Sequence, residues 1–418
     1  MSLKVLHFAD AHIDMANYGK RNPDSGLPFR VEDFLTSLDF IIDTAIKQEV
    51  DLVIFAGDAY KDRSPAPTYQ REWGRRIMRL SQAEIPTLLV VGNHDSSPAL
   101  GRAHTMQEFD TLEIPFIKVI DREIAAWNPP DLFDLPLKVI GIPWFTNTSI
   151  KTWLLNQDKN TEATQESFEQ VLDKFVKNEI KKRDRDYPDV PIIFTAHASV
   201  RGAVYGRERT VMLGQDFVIP KTIVTDPALD YVALGHIHKP QNLNEGHHPP
   251  VIYPGSIEKI DFGEAEDTKY CILATVSKNS TDVEWIELPC RKFVDVFARV
   301  SKKDVNPTQI LINKFHGKGE IKDAIVRLVV EFPEDLELEI NEQEIAAAAG
   351  EAFEFRFSKR PQLEARQRLA GDEQIAALSP IEQLDLFFKS KERPQEERKG
   401  LLTLARTILY NNVEEENE

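Results

Sequence analysis

The chain has 418 residues, 42% of them apolar and 28% charged, the balance of a soluble globular protein too long for one ordinary core, so a large domain with smaller companions is expected. Against 68 Asp and Glu stand 51 Lys and Arg, a net charge of −17, which excludes general coating of nucleic acid but not a local cationic site. Two cysteines, Cys271 and Cys290, exclude a disulfide framework and a thiolate zinc site.

No apolar run approaches a membrane span, and Met1-Ser2-Leu3-Lys4 leads into the first strand without a signal peptide. A cytoplasmic protein with no membrane partner is therefore expected. Val5-Leu6-His7-Phe8-Ala9 reads as a buried strand that ends in Asp10 and His12. After a polar loop, Phe34, Leu38, Ile41, Ile42, Ala45 and Ile46 keep helical spacing, and the chain returns through Asp51-Leu52-Val53-Ile54-Phe55-Ala56 to Gly57-Asp58. This is a βαβ unit. Ser64-Pro65-Ala66-Pro67 breaks the chain before a helix over about 68–81, and Leu88-Leu89-Val90-Val91 then delivers Gly92-Asn93-His94-Asp95. A helix past Ser97-Pro98 and strands near 116–119 and 139–142 follow.

Residues 146–190 are mostly polar, with an amphipathic helix around Phe168, Val171, Leu172, Phe175 and Val176. Ile192-Ile193-Phe194-Thr195 leads to His197, and Tyr231-Val232-Ala233-Leu234 to Gly235-His236-Ile237-His238. Stretches at 251–256, 270–276 and 283–288 read as antiparallel strands that close the first domain. From 291 to 358 the pattern strand, helix, strand, helix, strand makes a small α+β module, with nine acids and no Lys or Arg over 331–354. A polar linker over 359–378 precedes two short amphipathic helices. The first opens on the capping box Ser379-Pro380-Ile381-Glu382, and a break at Arg393-Pro394 separates the second, which carries Leu401, Leu404, Ala405, Ile408 and Leu409. Short helices of this kind are marginal alone, so they dock either on the rest of the chain or on a partner.

Five strands thus deliver seven donors at their carboxyl ends: Asp10, His12, Asp58, Asn93, His197, His236 and His238. In open α/β sheets that edge is where ligand crevices form. Oxygen and imidazole donors without thiolate suit octahedral Mn or Fe better than structural zinc. Seven donors with a shared carboxylate serve two ions, and ions about 3.5–4 Å apart carry out in-line displacement at phosphorus. Two dications against two aspartates leave an excess of positive charge for an anionic phosphodiester. An isolated Asp-x-His or Gly-Asp is usually a turn; the joint occurrence of these segments, each after an apolar strand, is what points to a metal centre. His7 reads as a packed residue, and His104, His247, His248 and His316 have no such context.

In order and strand context, Asp10-x-His12, Gly57-Asp58, Gly92-Asn93-His94-Asp95, His197 and Gly235-His236-x-His238 are similar to the calcineurin-like metallophosphoesterases. More narrowly the chain resembles the SbcD/Mre11 DNA double-strand-break repair nucleases, through Arg30-x-x-Asp33, the stretch from Tyr231 to Gln241, Tyr253-Pro254-Gly255-Ser256-Ile257-Glu258 and Asp261-Phe262-Gly263-Glu264. The resemblance implies an α/β sandwich nuclease domain over 1–290, an α+β capping domain over 291–358 and a C-terminal helix-loop-helix over 379–412. It implies one metal on Asp10, His12, Asp58 and His238 and another on Asp58, Asn93, His197 and His236, as two Mn²⁺ with Mg²⁺ or Fe²⁺ as alternatives. His94 would face the scissile phosphate, with Asp95 holding its ring. The implied activity is that of an exonuclease on double-stranded ends and an endonuclease on single-stranded or hairpin DNA. The implied assembly is a homodimer that binds an SMC-like coiled-coil ATPase of the SbcC or Rad50 type through residues 379–411. One departure stands out: where family members often carry His or Asp three residues past Asp58, this chain has Lys61. The alternatives are a phosphoesterase for small substrates on the same site, or a scaffold protein without chemistry.

Overall fold

The computed structural model describes residues 2–18, 20–96, 103–121, 123–145, 150, 152–154, 164–206, 218–317, 321–362, 378–391 and 393–411. Strand β1 (Ser2–Phe8) feeds helix α1 (Phe29–Lys47), strand β2 (Leu52–Phe55), helix α2 (Pro67–Gln82) and strand β3 (Thr87–Val90). The short helix α3 (Gln107–Thr111) leads to β4 (Ile117–Ile120), after which come β5 (Ala125–Trp127) and β6 (Lys138–Ile142). Helix α4 (Gln165–Asp186), β7 (Ile192–His197), β8 (Ser199–Val200), β9 (Val218–Ile219), the one-turn α5 (Lys221–Val224) and β10 (Tyr231–Gly235) follow. The sandwich closes with β11 (Gln241–Asn242), β12 (Val251–Tyr253), β13 (Tyr270–Ser277) and β14 (Ser280–Glu287).

Two six-stranded sheets result, in the orders β14-β13-β1-β2-β3-β4 and β11-β12-β10-β7-β6-β5. Strands β1 to β4 run parallel, as do β6, β7, β10 and β12, so each sheet gathers its carboxyl tips at one edge. Alternation along each strand decides which residues meet. Val5, Leu52, Ile54 and Leu88 pack on Val139, Ile193, Tyr231 and Ala233 between the sheets. Leu6, Phe8, Val53 and Phe55 turn outward to Phe34, Leu38 and Ile41 of α1 and to Trp73 and Ile77 of α2. Ile192, Phe194, Val232 and Leu234 turn the other way, to Phe168, Leu172 and Val176 of α4. The layers therefore run helix, sheet, sheet, helix, as the α/β reading expects. His7, on the face between the sheets, is buried between Tyr231 Oη at 3.0 Å and the Leu234 carbonyl at 3.2 Å, and burial holds its pKa down at about 3.

One strand corrects the sequence reading. The stretch over 251–256 is a three-residue strand, β12, parallel to β10 and part of the second sheet, whereas β13 and β14 form the antiparallel hairpin against β1 in the first. The expected helix past Ser97-Pro98 and most of the linker over 359–378 lie outside the described residues.

The α+β segment carries β15 (Phe293–Arg299), α6 (Pro307–His316), β16 (Ile325–Pro333), α7 (Glu342–Ala348) and β17 (Glu354–Gln362), with strand order β15-β16-β17. Asn341 caps α7, its side chain accepting from the Glu344 N–H at 3.2 Å. Helices α8 (Pro380–Ser390) and α9 (Gln395–Asn411) follow, α8 opening on the full capping box of Ser379 and Glu382. The chain divides into two compact units, one of residues 1–298, 308–329 and 341–358, the other of 299–307, 330–340 and 359–418. Among the described residues no helix is long and apolar enough to cross a membrane.

Candidate metal centre

Every donor read from the sequence stands at or just past the carboxyl end of a parallel strand of the first unit. Asp10 and His12 follow β1, Asp58 follows β2, Asn93 follows β3, His197 ends β7, and His236 and His238 follow β10. The loops bind each other through their backbones: the Asp10, His12 and Ile13 N–H groups donate to the carbonyls of Gly57, Asp58 and Ala59 at 2.9, 3.1 and 3.0 Å. Gly57, at φ +96°, sits where an added Cβ would come within 2.3 Å of His197 Nδ1. At Gly92 a Cβ would lie 2.1 Å from Asp58 Oδ1. Those two positions admit only glycine. Asp10, His12, Asp58 and His236 also have positive φ, at 51°, 38°, 64° and 103°. Conformations of this kind cost on the order of 1–3 kcal/mol each and persist where surrounding structure imposes them, as functional sites do.

The side chains converge. Single donor atoms of Asp10, His12 and His238 lie within 4.8 Å of one another, as do those of Asp10, Asp58 and His197. Asp58 Oδ2 is 3.9 Å from His12 Nε2 and 3.4 Å from His197 Nε2, so this carboxylate stands between the two groups. Its other oxygen accepts the His94 N–H at 2.9 Å, which fixes the carboxylate plane. Asn93 Oδ1 lies 2.9 Å from His197 Nε2 and 3.1 Å from His236 Nδ1. Asp10 accepts the His236 N–H with both oxygens, at 3.1 Å each.

Hydrogen bonds on the far side of each ring aim the imidazoles. Nδ1 of His12 donates to the Tyr60 carbonyl at 3.2 Å, Nδ1 of His197 to the Ala56 carbonyl at 2.7 Å, and Nδ1 of His238 to Glu264 Oε1 at 3.3 Å. The Nε2 lone pairs of these three rings therefore face inward, toward one another and toward carboxylate and amide oxygens. A cluster made almost wholly of acceptors is satisfied by cations. In their absence protons fill the role. Burial would lower His197, but Asp58 beside it raises its pKa to about 9. Burial raises Asp10 to about 6 against the pull of His238 and His197. Burial would also raise Asp58, yet His197, His94 and His12 hold it well below the carboxylate range. The donor set thus fits hard or borderline divalent metal.

His94 and Asp95 take different places from those expected together. The His94 ring stands 5.3 Å from the His12 ring, half-buried, with Nδ1 2.6 Å from the Lys61 carbonyl. Asp95 does not hold that ring. Fully buried, it accepts the N–H groups of Asp58, Ala59 and Gly92 at 2.8, 2.9 and 3.0 Å, tying the β2 and β3 turns together. Its side chain is short and its oxygens are spent on amides that would otherwise be buried unpaired. Burial, with Asp58 next, raises its pKa to about 7.

Two neighbours had no role in the sequence reading. Glu264, which orients His238 and pairs with Lys269 at 2.8 Å, lies in the Asp261-Phe262-Gly263-Glu264 stretch whose only signal was resemblance. Trp144 lays its ring 4.9 Å from that of His236, and nothing in its sequence context marks it. Beside His94 opens a cleft of about 860 Å³, lined by Asp14, Asn17, Lys61, Arg63, Ser64 and Tyr69 among others.

Residues 3–240 match the family described as Calcineurin-like phosphoesterase. The chain is 28% identical over 293 residues to the SbcD component of the nuclease SbcCD of Escherichia coli (strain K12), covering 69% of this chain and 68% of that one. It is 24% identical over 267 residues to the DNA double-strand break repair protein Mre11 of Archaeoglobus fulgidus, covering 63% of this chain and 52% of that one. Among solved structures, a dimetal phosphatase from Danio rerio matches at a TM-score of 0.39 and 12% identity, over 68% of this chain and 99% of that chain.

Proposed function

The chain belongs to the calcineurin-like phosphoesterase family, and we propose that it is a two-metal DNA nuclease of the SbcD/Mre11 type. The observation that carries this reading is the acceptor cluster with Asp58 between its two halves. Asp10, His12, Asp58 and His238 would hold one ion, and Asp58, Asn93, His197 and His236 the other. When bound, the ions supply positive charge to a phosphodiester and lower the pKa of a water. The chain's own residues do the rest. His94, fixed by the Lys61 carbonyl, protonates the leaving oxygen or stabilises its developing charge. Lys61 and Arg63, exposed along the cleft beside His94, meet the flanking phosphates.

In this reading residues 1–290 are the nuclease domain, 291–358 its cap, and 359–378 a linker to the helix pair over 379–412. Phe387 on α8 and Leu404 on α9 are 49% and 57% exposed, an apolar surface suited to the coiled coil of an SbcC- or Rad50-type ATPase. Mn²⁺ is the proposed metal, a homodimer the proposed assembly and the cytoplasm the proposed setting. The test is hydrolysis of linear duplex and hairpin DNA by the whole chain, with Mn²⁺ and with chelator. Metal-dependent cleavage supports the reading; turnover of small phosphomonoesters in preference to DNA would replace it with that of a small-substrate phosphoesterase.

A further inference from the structure

Beyond the donors and His94, one side chain next to the site is engaged in a way the chemistry above does not use. Asp14 stands two residues past His12, at the point where the backbone pairing between residues 10–13 and 57–59 stops. Its carboxylate continues that pairing. Oδ1 accepts the Lys61 N–H at 2.5 Å and Oδ2 the Asp62 N–H at 3.0 Å. The loop it grips lies outside any helix or strand, so these bonds stand in for regular structure there. Within the same loop the Tyr60 carbonyl meets His12 Nδ1 and the Lys61 carbonyl meets His94 Nδ1. Two consecutive carbonyls thus aim two rings whose centres are 5.3 Å apart.

We propose that Asp14 is a positioning residue for His94, acting through the backbone of residues 60–62. The proposal rests on the nuclease reading of the site. Both Asp14 oxygens accept loop amides, and Asp14 belongs to neither donor cluster, which makes the carboxylate a clamp on the loop. The His12 ring is buried among its neighbours whereas the His94 ring is half-buried, so loosening the loop falls chiefly on His94. A drift of the Lys61 carbonyl by about 1 Å lets the imidazole turn, and misplacement on that scale costs up to about a hundredfold in rate.

The experiment compares wild type, Asp14→Ala, Asp14→Asn, His94→Gln and the Asp14→Ala/His94→Gln double variant. It uses the full chain with Mn²⁺, linear duplex DNA and bis(4-nitrophenyl) phosphate. Asp14→Ala is expected to lower kcat roughly 10–100-fold with KM and bound Mn²⁺ unchanged. Asp14→Asn, which keeps one acceptor oxygen, is expected to recover part of the loss. In the His94→Gln background Asp14→Ala should cost nothing more, because its route of action is already gone. An equal loss in both backgrounds, loss of Mn²⁺, or an unchanged kcat overturns the proposal. A wild type that cleaves neither diester sinks the nuclease reading instead. The clamp is then judged by ¹⁵N spectra of the imidazoles: His94 should hold its proton on Nδ1 in wild type and lose that preference in Asp14→Ala, and retention of it overturns the proposal.

Discussion

Nε2 of His12 and Nε2 of His238 stand 3.2 Å apart while each ring donates from its far nitrogen, one to a carbonyl and the other to Glu264. Two imidazole lone pairs at this separation are tolerable only with a proton or a cation at them. Divalent metal should therefore stabilise the folded chain as well as activate it. At Mn²⁺ a hundredfold above Kd the gain is about 2.7 kcal/mol per independent site. Thermal unfolding with Mn²⁺ and with chelator checks this, and coincident melting curves would count against a metal centre. Asp58→Asn, which removes the carboxylate between the two groups, should abolish both the shift and DNA cleavage.

His94 touches the site without belonging to its donor clusters. His94→Gln is expected to keep full metal content and lose about 10²–10⁴ in kcat, the range of a general acid or base. Metal analysis beside single-turnover rates separates the two properties. A variant that loses its metal would show that His94 is a ligand and not the residue facing the phosphate.

Gly92→Ala places a methyl group 2.1 Å from Asp58 Oδ1, in a turn that Asp95 clamps from within. The variant should lose metal binding and at least about 2 kcal/mol of stability, since neither the carboxylate nor the turn can retreat. Gly74, inside α2 with nothing within 4 Å of an added Cβ, is the contrasting case. Gly74→Ala should stabilise by about 0.5–1 kcal/mol and leave metal binding alone. Urea unfolding of the pair, with metal titrations, decides whether the loss at Gly92 is local to the site.

The contrast also marks what was legible before the structure. Leu52-Val53-Ile54-Phe55 and Ile192-Ile193-Phe194 are apolar on both faces, so their burial between layers and the places of Asp58 and His197 at their tips could be read directly. The direction of β12 could not: Val251-Ile252-Tyr253 is too short for its pattern to separate a parallel neighbour of β10 from an antiparallel one. Nor could the left-handed backbone at Asp10, Asp58 and His236, or the carbonyls of Ala56, Tyr60 and Lys61 that aim three rings. Backbone groups are the same at every residue, and only the fold chooses which of them faces a histidine. Asp95 was misread for the same reason, its partners being amides and not the neighbouring imidazole.

Away from the site, Lys138 in β6 is fully buried, with Nζ 2.6 Å from Asn128 Oδ1 and 2.7 Å from Glu179 Oε2 on α4. Glu179→Gln leaves that ammonium buried without its carboxylate and should cost about 3–5 kcal/mol. Replacing both partners with apolar residues, as Lys138→Met with Glu179→Leu, should be near neutral or stabilising. Burial would raise Glu179, but Lys138 and Lys182 bonded to it hold its pKa below the ordinary 4.5. A carboxylate depressed by folding contributes stability that is complete above its unfolded pKa and disappears as pH falls through its folded one. The gap between wild type and Glu179→Gln should accordingly be widest near neutral pH and shrink below about pH 4.5. Unfolding free energies of the two proteins across that range, at constant ionic strength, check the sign, and a gap that grows with acid would show that the pair is not what holds α4 to β6.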